Sequence, residues 1–354
     1  MTVRMKKVKK YTIEILLIFA LSLSVILTGC AGRKASPEDM NISEAESEAE
    51  TTVEAEAEKV ETTEEETEAL TETESEPESS IEETEVAAEV DASQDMSASQ
   101  LSSESEAIYL DENWQYSDFT VVHNDPAILY RAQNNRKDII IGVDAGHGTK
   151  GAEGMKIYCH PDKSPKTTGG STAAGATMAN AQSGGMTFND GTGEATMTLK
   201  VARLFRDRLL EDGYDVLMLR DEDRVELDLM SRTVIANNMA DCHISIHFDG
   251  DGLGYDKGAF YIAVPDGIKN MSPVKETWEL DDRLGAQLVE GLGASGIKIY
   301  GNGTMKIDLT QTSFSTIPSV DLELGNQATL VNDELASKYV EGMMLGVDSF
   351  FAQR

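Results

Sequence analysis

The segment from Asp138 to Gly148 reads D-I-I-I-G-V-D-A-G-H-G, and no other stretch constrains the fold as tightly. Ile139 to Val143 is an apolar run rich in β-branched residues, stopped abruptly by glycine. A run of that kind is buried on both faces, which places it in the middle of a largely parallel sheet covered by helices. His147 then stands just past the C-terminal end of the strand, where open α/β sheets bind their ligands. Gly146 and Gly148 allow a sharp turn and leave the imidazole uncrowded. A satisfied histidine at a strand–loop corner would look the same, so His147 gains meaning only if other groups converge on it.

The chain from Ile108 onward alternates strand and helix patterns, which argues for an α/β sheet with helices on both faces. Residues 118–123 and 127–132 flank Asn124-Asp125-Pro126 and read as an edge hairpin. Helical spacing marks 194–212, 225–240, 276–292 and 333–351. Strand patterns mark 214–220, 242–248, 258–264, 305–309 and 320–324. Residues 149–193, dominated by Gly, Ser, Thr, Ala and Lys, have no period, and a structureless stretch that long inside a compact domain is either functional or mobile. The expected fold is a single α/β domain over 108–354, a mixed, mostly parallel, twisted sheet flanked by helices. At about 245 residues it has ample material for one core.

Two segments precede it. Arg4, Lys6, Lys7, Lys9 and Lys10 form a cationic start, followed by an apolar run from Ile15 to Leu27. That order describes a secretory leader, too short and wrongly flanked to span a membrane. It ends in Leu27-Thr28-Gly29-Cys30, which resembles the bacterial lipoprotein processing box. The resemblance implies cleavage before Cys30, lipidation of its thiol and a membrane anchor outside the cytoplasm. An ordinary leader that happens to contain a cysteine is the plain alternative. Residues 31–107 read as a disordered linker. From Ser36 to Ala107 there are 26 acidic residues against the single Lys59, and no aromatic. Such a segment cannot bury enough apolar surface to offset its chain entropy. Its self-repulsion suits a stalk holding the domain off an anionic surface. Of the formal charge of −33, about −14 remains on the domain, with no basic clusters or interleaved aromatics, so nucleic acid is not an expected partner. Cys159 and Cys242 are the domain's cysteines; one falls in a loop and the other at a buried strand, which argues against a disulfide.

A second histidine repeats the placing of the first. In His243-Ile244-Ser245-Ile246-His247, a period of two sends the isoleucines to one face and His243, Ser245 and His247 to the other. His247 lies at the strand's exit, and right-handed crossovers bring such exits to one side of the sheet. His243, further back, is expected to be packed. Glu194 opens a helix; a carboxylate there also interacts well with the helix dipole. Two imidazoles and a carboxylate make a three-ligand set of the kind zinc catalytic sites use, all binding in deprotonated form. In Val320-Asp321-Leu322-Glu323-Leu324, alternation puts Asp321 and Glu323 on one face. A Glu323 that reaches the rim can move protons between water and a leaving nitrogen. A solvated edge strand is the competing explanation.

Taken in order, D-x-G-H-G, a glutamate at a helix start, R-x3-A-N-x3-A-D-x-x-I-S-I-H and V-x-L-E-L-G resemble the zinc-dependent N-acetylmuramoyl-L-alanine amidases. The third block here is Arg232, Ala236, Asn237, Ala240, Asp241, Ile244, Ser245, Ile246 and His247. The likeness covers residues 138–352 and implies zinc on His147, Glu194 and His247, with Glu323 as catalytic carboxylate. It implies hydrolysis of the amide joining N-acetylmuramic acid to L-alanine in peptidoglycan. The chain departs from the pattern at Ala145, where the family usually has Pro, a change expected to cost turn rigidity but no chemistry. His247-Phe248-Asp249 replaces His-Ala-Asn, and Asn326 stands where an aromatic is common; both are expected to rim the cleft. In some members an element near the site blocks it until a partner binds. Residues 149–193 are placed to do so, awaiting an unnamed activator, and their deletion should then raise basal hydrolysis.

Two rival readings remain. A peptidoglycan-binding adaptor lipoprotein without turnover is one, although a lost enzyme usually drops a chemical residue and all four are present. A zinc peptidase acting on the same stems is the other, but no H-E-x-x-H helix exists to carry it.

Overall fold

The computed structural model describes residues 105–353. The leader, Cys30 and residues 31–104 of the linker lie outside the described residues.

The first strand, β1 (Ser105–Ile108), begins three residues before the boundary read at Ile108 and pairs antiparallel with β2 (Ala127–Tyr130). The expected hairpin between 118–123 and 127–132 does not form. Its first arm is claimed by other partners: Phe119 joins an aromatic cluster with Tyr116, Tyr158 and Phe314. The amides of Val121 and Val122 both donate to the Asp228 carboxylate, at 2.6 and 2.7 Å.

The centre of the sheet is parallel. β3 (Ile140–Ala145) lies between β6 (Asp215–Met218) and β7 (Cys242–Asp249), and β10 (Ser319–Asn326) lies on the far side of β7. β8 (Ala259–Ala263) runs antiparallel beside β10, and β9 (Ile299–Lys306) closes that edge. The full order is β1-β2-β6-β3-β7-β10-β8-β9. The pattern read at 305–309 is only the tail of β9, whose start was obscured by Gly301 and Gly303, both at positive φ.

Helices α1 (Glu194–Glu211), α3 (Val274–Ala294) and α5 (Asp333–Ala352) cover one face. They pack on Ile141, Val143, Ile244, Ile246, Val320 and Leu322. That is the apolar half of each alternating strand. α3 and α5 approach closely through glycine: a Cβ on Gly291 would stand 2.2 Å from the Gly342 carbonyl oxygen. α2 (Leu229–Met239) and the short α4 (Thr310–Phe314) lie on the opposite face. α2 starts four residues later than the apolar spacing indicates, because Asp228 caps it by accepting from Ser231 N at 2.7 Å.

Residues 152–181 pack on that same face, with a small hairpin of β4 (Lys156–Tyr158) and β5 (Met178–Asn180), while Met186 and Phe188 join the core on the other side. Residues 152–181 are pinned to the segment after β9. His160 Nε2 stands 2.8 Å from Asp308 Oδ1, His160 Nδ1 2.9 Å from Ser164 Oγ, and Thr167 N donates to Asp308 Oδ2 at 2.7 Å. His160 and Asp308 are fully buried. A network of polar groups that satisfy one another is rigid without needing a periodic sequence, which is why the pattern of this segment was silent. Cys159 and Cys242 are both buried, and no disulfide joins them.

Asp281 on α3 fastens the start of β10 by accepting from Ser319 N at 2.8 Å. Burial pushes its carboxyl up to about 7. The folded protein therefore keeps a proton that the unfolded chain releases near pH 4, so stability falls as pH rises from about 4 to about 7. Asp281→Asn keeps the acceptor for Ser319 and removes the ionisation. Its melting midpoint should exceed wild type by several degrees at pH 8 and match it at pH 4; equal gains at both would point to packing instead.

Candidate metal centre and active-site cleft

The chain turns immediately after β3. His147 and Gly148 both adopt left-handed backbone conformations, with φ of 66° and 69°. For a histidine this is uncommon and persists only where surrounding contacts enforce it. The turn aims His147 Nε2 at Glu194 Oε1, 2.8 Å away, and His247 Nδ1 stands 3.1 Å from each of those atoms. The two rings meet edge to face, with centroids 4.7 Å apart. Gly146 makes this possible, since a Cβ there would stand 2.3 Å from His247 Cε1. The groups predicted from strand ends and a helix start thus meet with one donor atom each.

Each is held from behind. His147 Nδ1 lies 3.2 Å from the Ser183 carbonyl oxygen. Donating there leaves Nε2 as the bare nitrogen that faces the others. Glu194, almost wholly buried at the start of α1, accepts from Phe248 N at 3.0 Å through Oε1 and from Met186 N at 2.8 Å through Oε2. Burial opposes its ionisation, but the two imidazoles hold its carboxyl well below the usual range. Burial likewise opposes charge on His247, yet Asp321, Glu194 and Glu323 together raise it to about 10. Three convergent donors in a surplus of negative charge have the electrostatic character of a cation site. The spacing fits as well: ligand atoms of a tetrahedral zinc stand about 3.3 Å apart.

β10 runs parallel to β7 in a register that sets Glu323 beside His247 and Asp321 beside Ser245. Leu322 and Leu324 go into the core on the other face, so the alternation read from the sequence holds. Asp321 and Glu323 line a cleft of about 600 Å³ together with His147, Glu194 and His247. Among the described residues, Glu323 Oε2 and Asp321 Oδ1 have no hydrogen-bond partner. Burial first, then the charge of Asp321, raises the Glu323 carboxyl well above its ordinary value, with His247 pulling the other way. A carboxyl with a free oxygen in a cleft beside a cation site can take up and return protons. His243 is packed, as expected, at 1% exposure with its Nε2 3.7 Å from Asp144 Oδ2.

The N-acetylmuramoyl-L-alanine amidase family (Amidase_3) matches residues 141–346. The chain belongs to this family. Among solved structures it is similar to Ami1, the N-acetylmuramyl-L-alanine amidase of Mycobacterium smegmatis. That match has 21% identity and a TM-score of 0.52 over 61% of this chain and 98% of the other. The apo form of Ami1 from Mycobacterium abscessus gives 22% identity and a TM-score of 0.51, over 60% and 99%. At these identities the likeness speaks for the fold. No curated protein matches the chain.

In this amidase the turn that carries His147 gains its rigidity from two buried arginines. Arg220 donates to the carbonyl oxygens of Ala145 at 2.9 Å and Gly146 at 3.1 Å. Arg232 donates to Ala145 O at 3.2 Å and His147 O at 2.9 Å, and pairs with Asp144 at 2.8 Å. Four guanidinium hydrogen bonds on three successive carbonyls offset the missing proline at 145. Arg232 was visible only as a letter in the family pattern and Arg220 carried no signal, since a strand-end arginine is usually solvated. Asp249 lines the cleft as expected; Phe248 borders it, but its ring packs in the core against Phe188 and Tyr339. Asn326 does not: it is fully buried and donates to Asp251 Oδ1 and Tyr255 O, both at 3.0 Å, fastening the 250–256 loop.

The 149–193 insertion supplies groups that support the amidase site and part of its wall. Its backbone supplies the Ser183 carbonyl to His147 and the Met186 amide to Glu194, and Gly170, Ser171 and Thr172 form part of the cleft wall. Excising 150–190 behind a short linker should therefore lower both metal affinity and hydrolysis. A rise in basal turnover would restore the blocking role that the sequence suggested.

Proposed function

We propose that this domain cleaves the amide between the lactyl carboxyl of N-acetylmuramic acid and the L-alanine of the stem peptide, with zinc held by His147, Glu194 and His247. The observation that carries this is the meeting of three donor atoms beside an unpartnered Glu323 oxygen in one cleft. Zinc, when bound, supplies Lewis acidity: it withdraws charge from a carbonyl oxygen and makes water nucleophilic near neutral pH. The chain does the rest. Glu194 and the two imidazoles present their lone pairs; the arginine-held turn keeps His147 on station. Glu323 accepts the proton of the attacking water as the new C–O bond forms. It returns that proton to the alanine nitrogen as the C–N bond breaks. The products are a lactyl carboxylate on the glycan and a stem peptide with a free amine. A silent adaptor is not favoured, since the site retains every group that turnover needs.

Digesting purified peptidoglycan with the protein tests the reading. Stem peptides bearing a free alanine amine should appear without new reducing sugar ends. New reducing ends without free stems would mean a glycosidase.

The Leu27-Thr28-Gly29-Cys30 box supports an anchored, extracytoplasmic protein facing the wall, with residues 31–104 as its tether over the membrane. Among the described residues, no helix is long and apolar enough to cross a membrane. Cys30→Ala should move the protein from the membrane fraction into the soluble exported fraction and abolish labelling by fatty acid.

A further inference from the structure

His247 turns Nδ1 toward Glu194 and His147, so its other nitrogen, Nε2, faces away from the proposed ligand set. Asp321 Oδ2 lies behind it, 3.9 Å from Nε2, an ion-pair separation longer than a hydrogen bond. Asp321 reaches that position through sheet register. It pairs with Ser245, two residues before His247 and on the same face. Its side chain is only 14% exposed, and Oδ1 has no hydrogen-bond partner. A buried carboxylate oxygen without a hydrogen-bond partner is costly, and its place in the fold calls for a reason. Glu323, although directly beside His247 along the strands, makes no contact with the imidazole nitrogens within 4.0 Å of the kind Asp321 makes.

We propose that Asp321 is a positioning residue for His247: its carboxylate faces Nε2 at ion-pair range, electrostatically favours the tautomer with the proton on Nε2 and the Nδ1 lone pair toward the metal, and leaves Glu323 free for proton transfer. A ligating histidine needs such a partner because a neutral imidazole carries one proton, and its location decides which nitrogen can bind. Carboxylates behind ligating histidines orient the ring and raise ligand basicity, and their loss costs about 10- to 100-fold in metal affinity. His147 has its own device for the same task, the Ser183 carbonyl. Each imidazole is then set by a different oxygen, one from the insertion and one from β10.

The proposal rests on the zinc reading, and the experiment separates the two. Zinc affinity of the purified full-length protein is measured by competition with a chromophoric chelator for wild type, Asp321→Asn, Asp321→Leu, Asp321→Ala and Glu323→Leu. The Asn variant keeps a carbonyl oxygen to face Nε2–H and should stay within about threefold of wild type. The Leu and Ala variants should bind about 10- to 100-fold more weakly. Using both guards against a packing fault, and circular dichroism confirms that each is folded. Glu323→Leu should bind zinc as wild type does. With zinc bound, nitrogen-15 spectra of the histidines should report the Nε2-protonated form of His247 in wild type and Asn, and a mixture in Leu. Unchanged affinity in both the Leu and Ala variants would overturn the role of Asp321, as would an equal loss in Glu323→Leu. A wild-type protein that binds no zinc would instead overturn the metal site itself, and this inference with it.

Discussion

Replacing His147 by Ala should leave the protein folded, with zinc affinity reduced by at least about 100-fold, more than losing an outer partner costs, and with hydrolysis at background. The residue suits the test because little besides the site depends on its side chain. The ring meets the other two donors and the Ser183 carbonyl, while the turn is secured through backbone carbonyls by Arg220 and Arg232. Truncating Glu194 would be less clean. That carboxylate also satisfies the amides of Phe248 and Met186, and removing a buried acceptor leaves donors unpaired at a cost of about 1–3 kcal/mol each. Metal content by mass spectrometry, with a melting curve alongside, checks the prediction. A His147→Ala protein that retains one zinc per chain and full turnover would refute the centre.

Glu323→Gln should behave differently. Zinc should stay bound, substrate should still enter, and release of free-amine stems should fall by about 10²- to 10⁴-fold, the usual worth of a positioned acid–base group. The side chain keeps its shape and loses only the ability to carry a proton. Its neighbours contribute no substitute: Asp321 lies behind His247, and Asp249 is engaged with Lys257, which also reaches Asp251 at 3.0 Å. Single-turnover measurements on a soluble muropeptide, set beside the metal content of the same preparation, separate lost chemistry from lost zinc. An equal fall in both would make Glu323 a structural residue.

Much of this site was legible because its signals are local. The run Ile139 to Val143 announced a doubly covered strand, and it is β3, flanked by β6 and β7. The alternation around Ser245 announced which side of β7 faces the cleft. The same alternation marks the carboxylates of β10, although nothing in Val320-Asp321-Leu322-Glu323 distinguishes their roles. The false hairpin at 118–123 shows the limit of such reading. Its residues have strand-like chemistry, but their amides were taken by Asp228, 106 or more positions away. The insertion is the larger omission. A segment built from small polar residues has no period to read, yet Ser183 and Met186 support two of the proposed ligands through backbone atoms, whose usefulness does not depend on residue type.

The sequence by itself determined the α/β class, the faces of the central strands and the four groups proposed to do chemistry, because burial and β-pleat impose short periods on neighbouring residues. Tertiary structure decided the rest. It brought His147, Glu194 and His247 within about 3 Å of one another, an arrangement zinc can hold. It clamped a strained turn with two arginines, assigned Asn326 to a loop instead of the cleft, and made 149–193 a supporting wall. Those outcomes depend on strand register and on hydrogen bonds between residues far apart in the chain, and no local pattern records which distant partner a polar group will find.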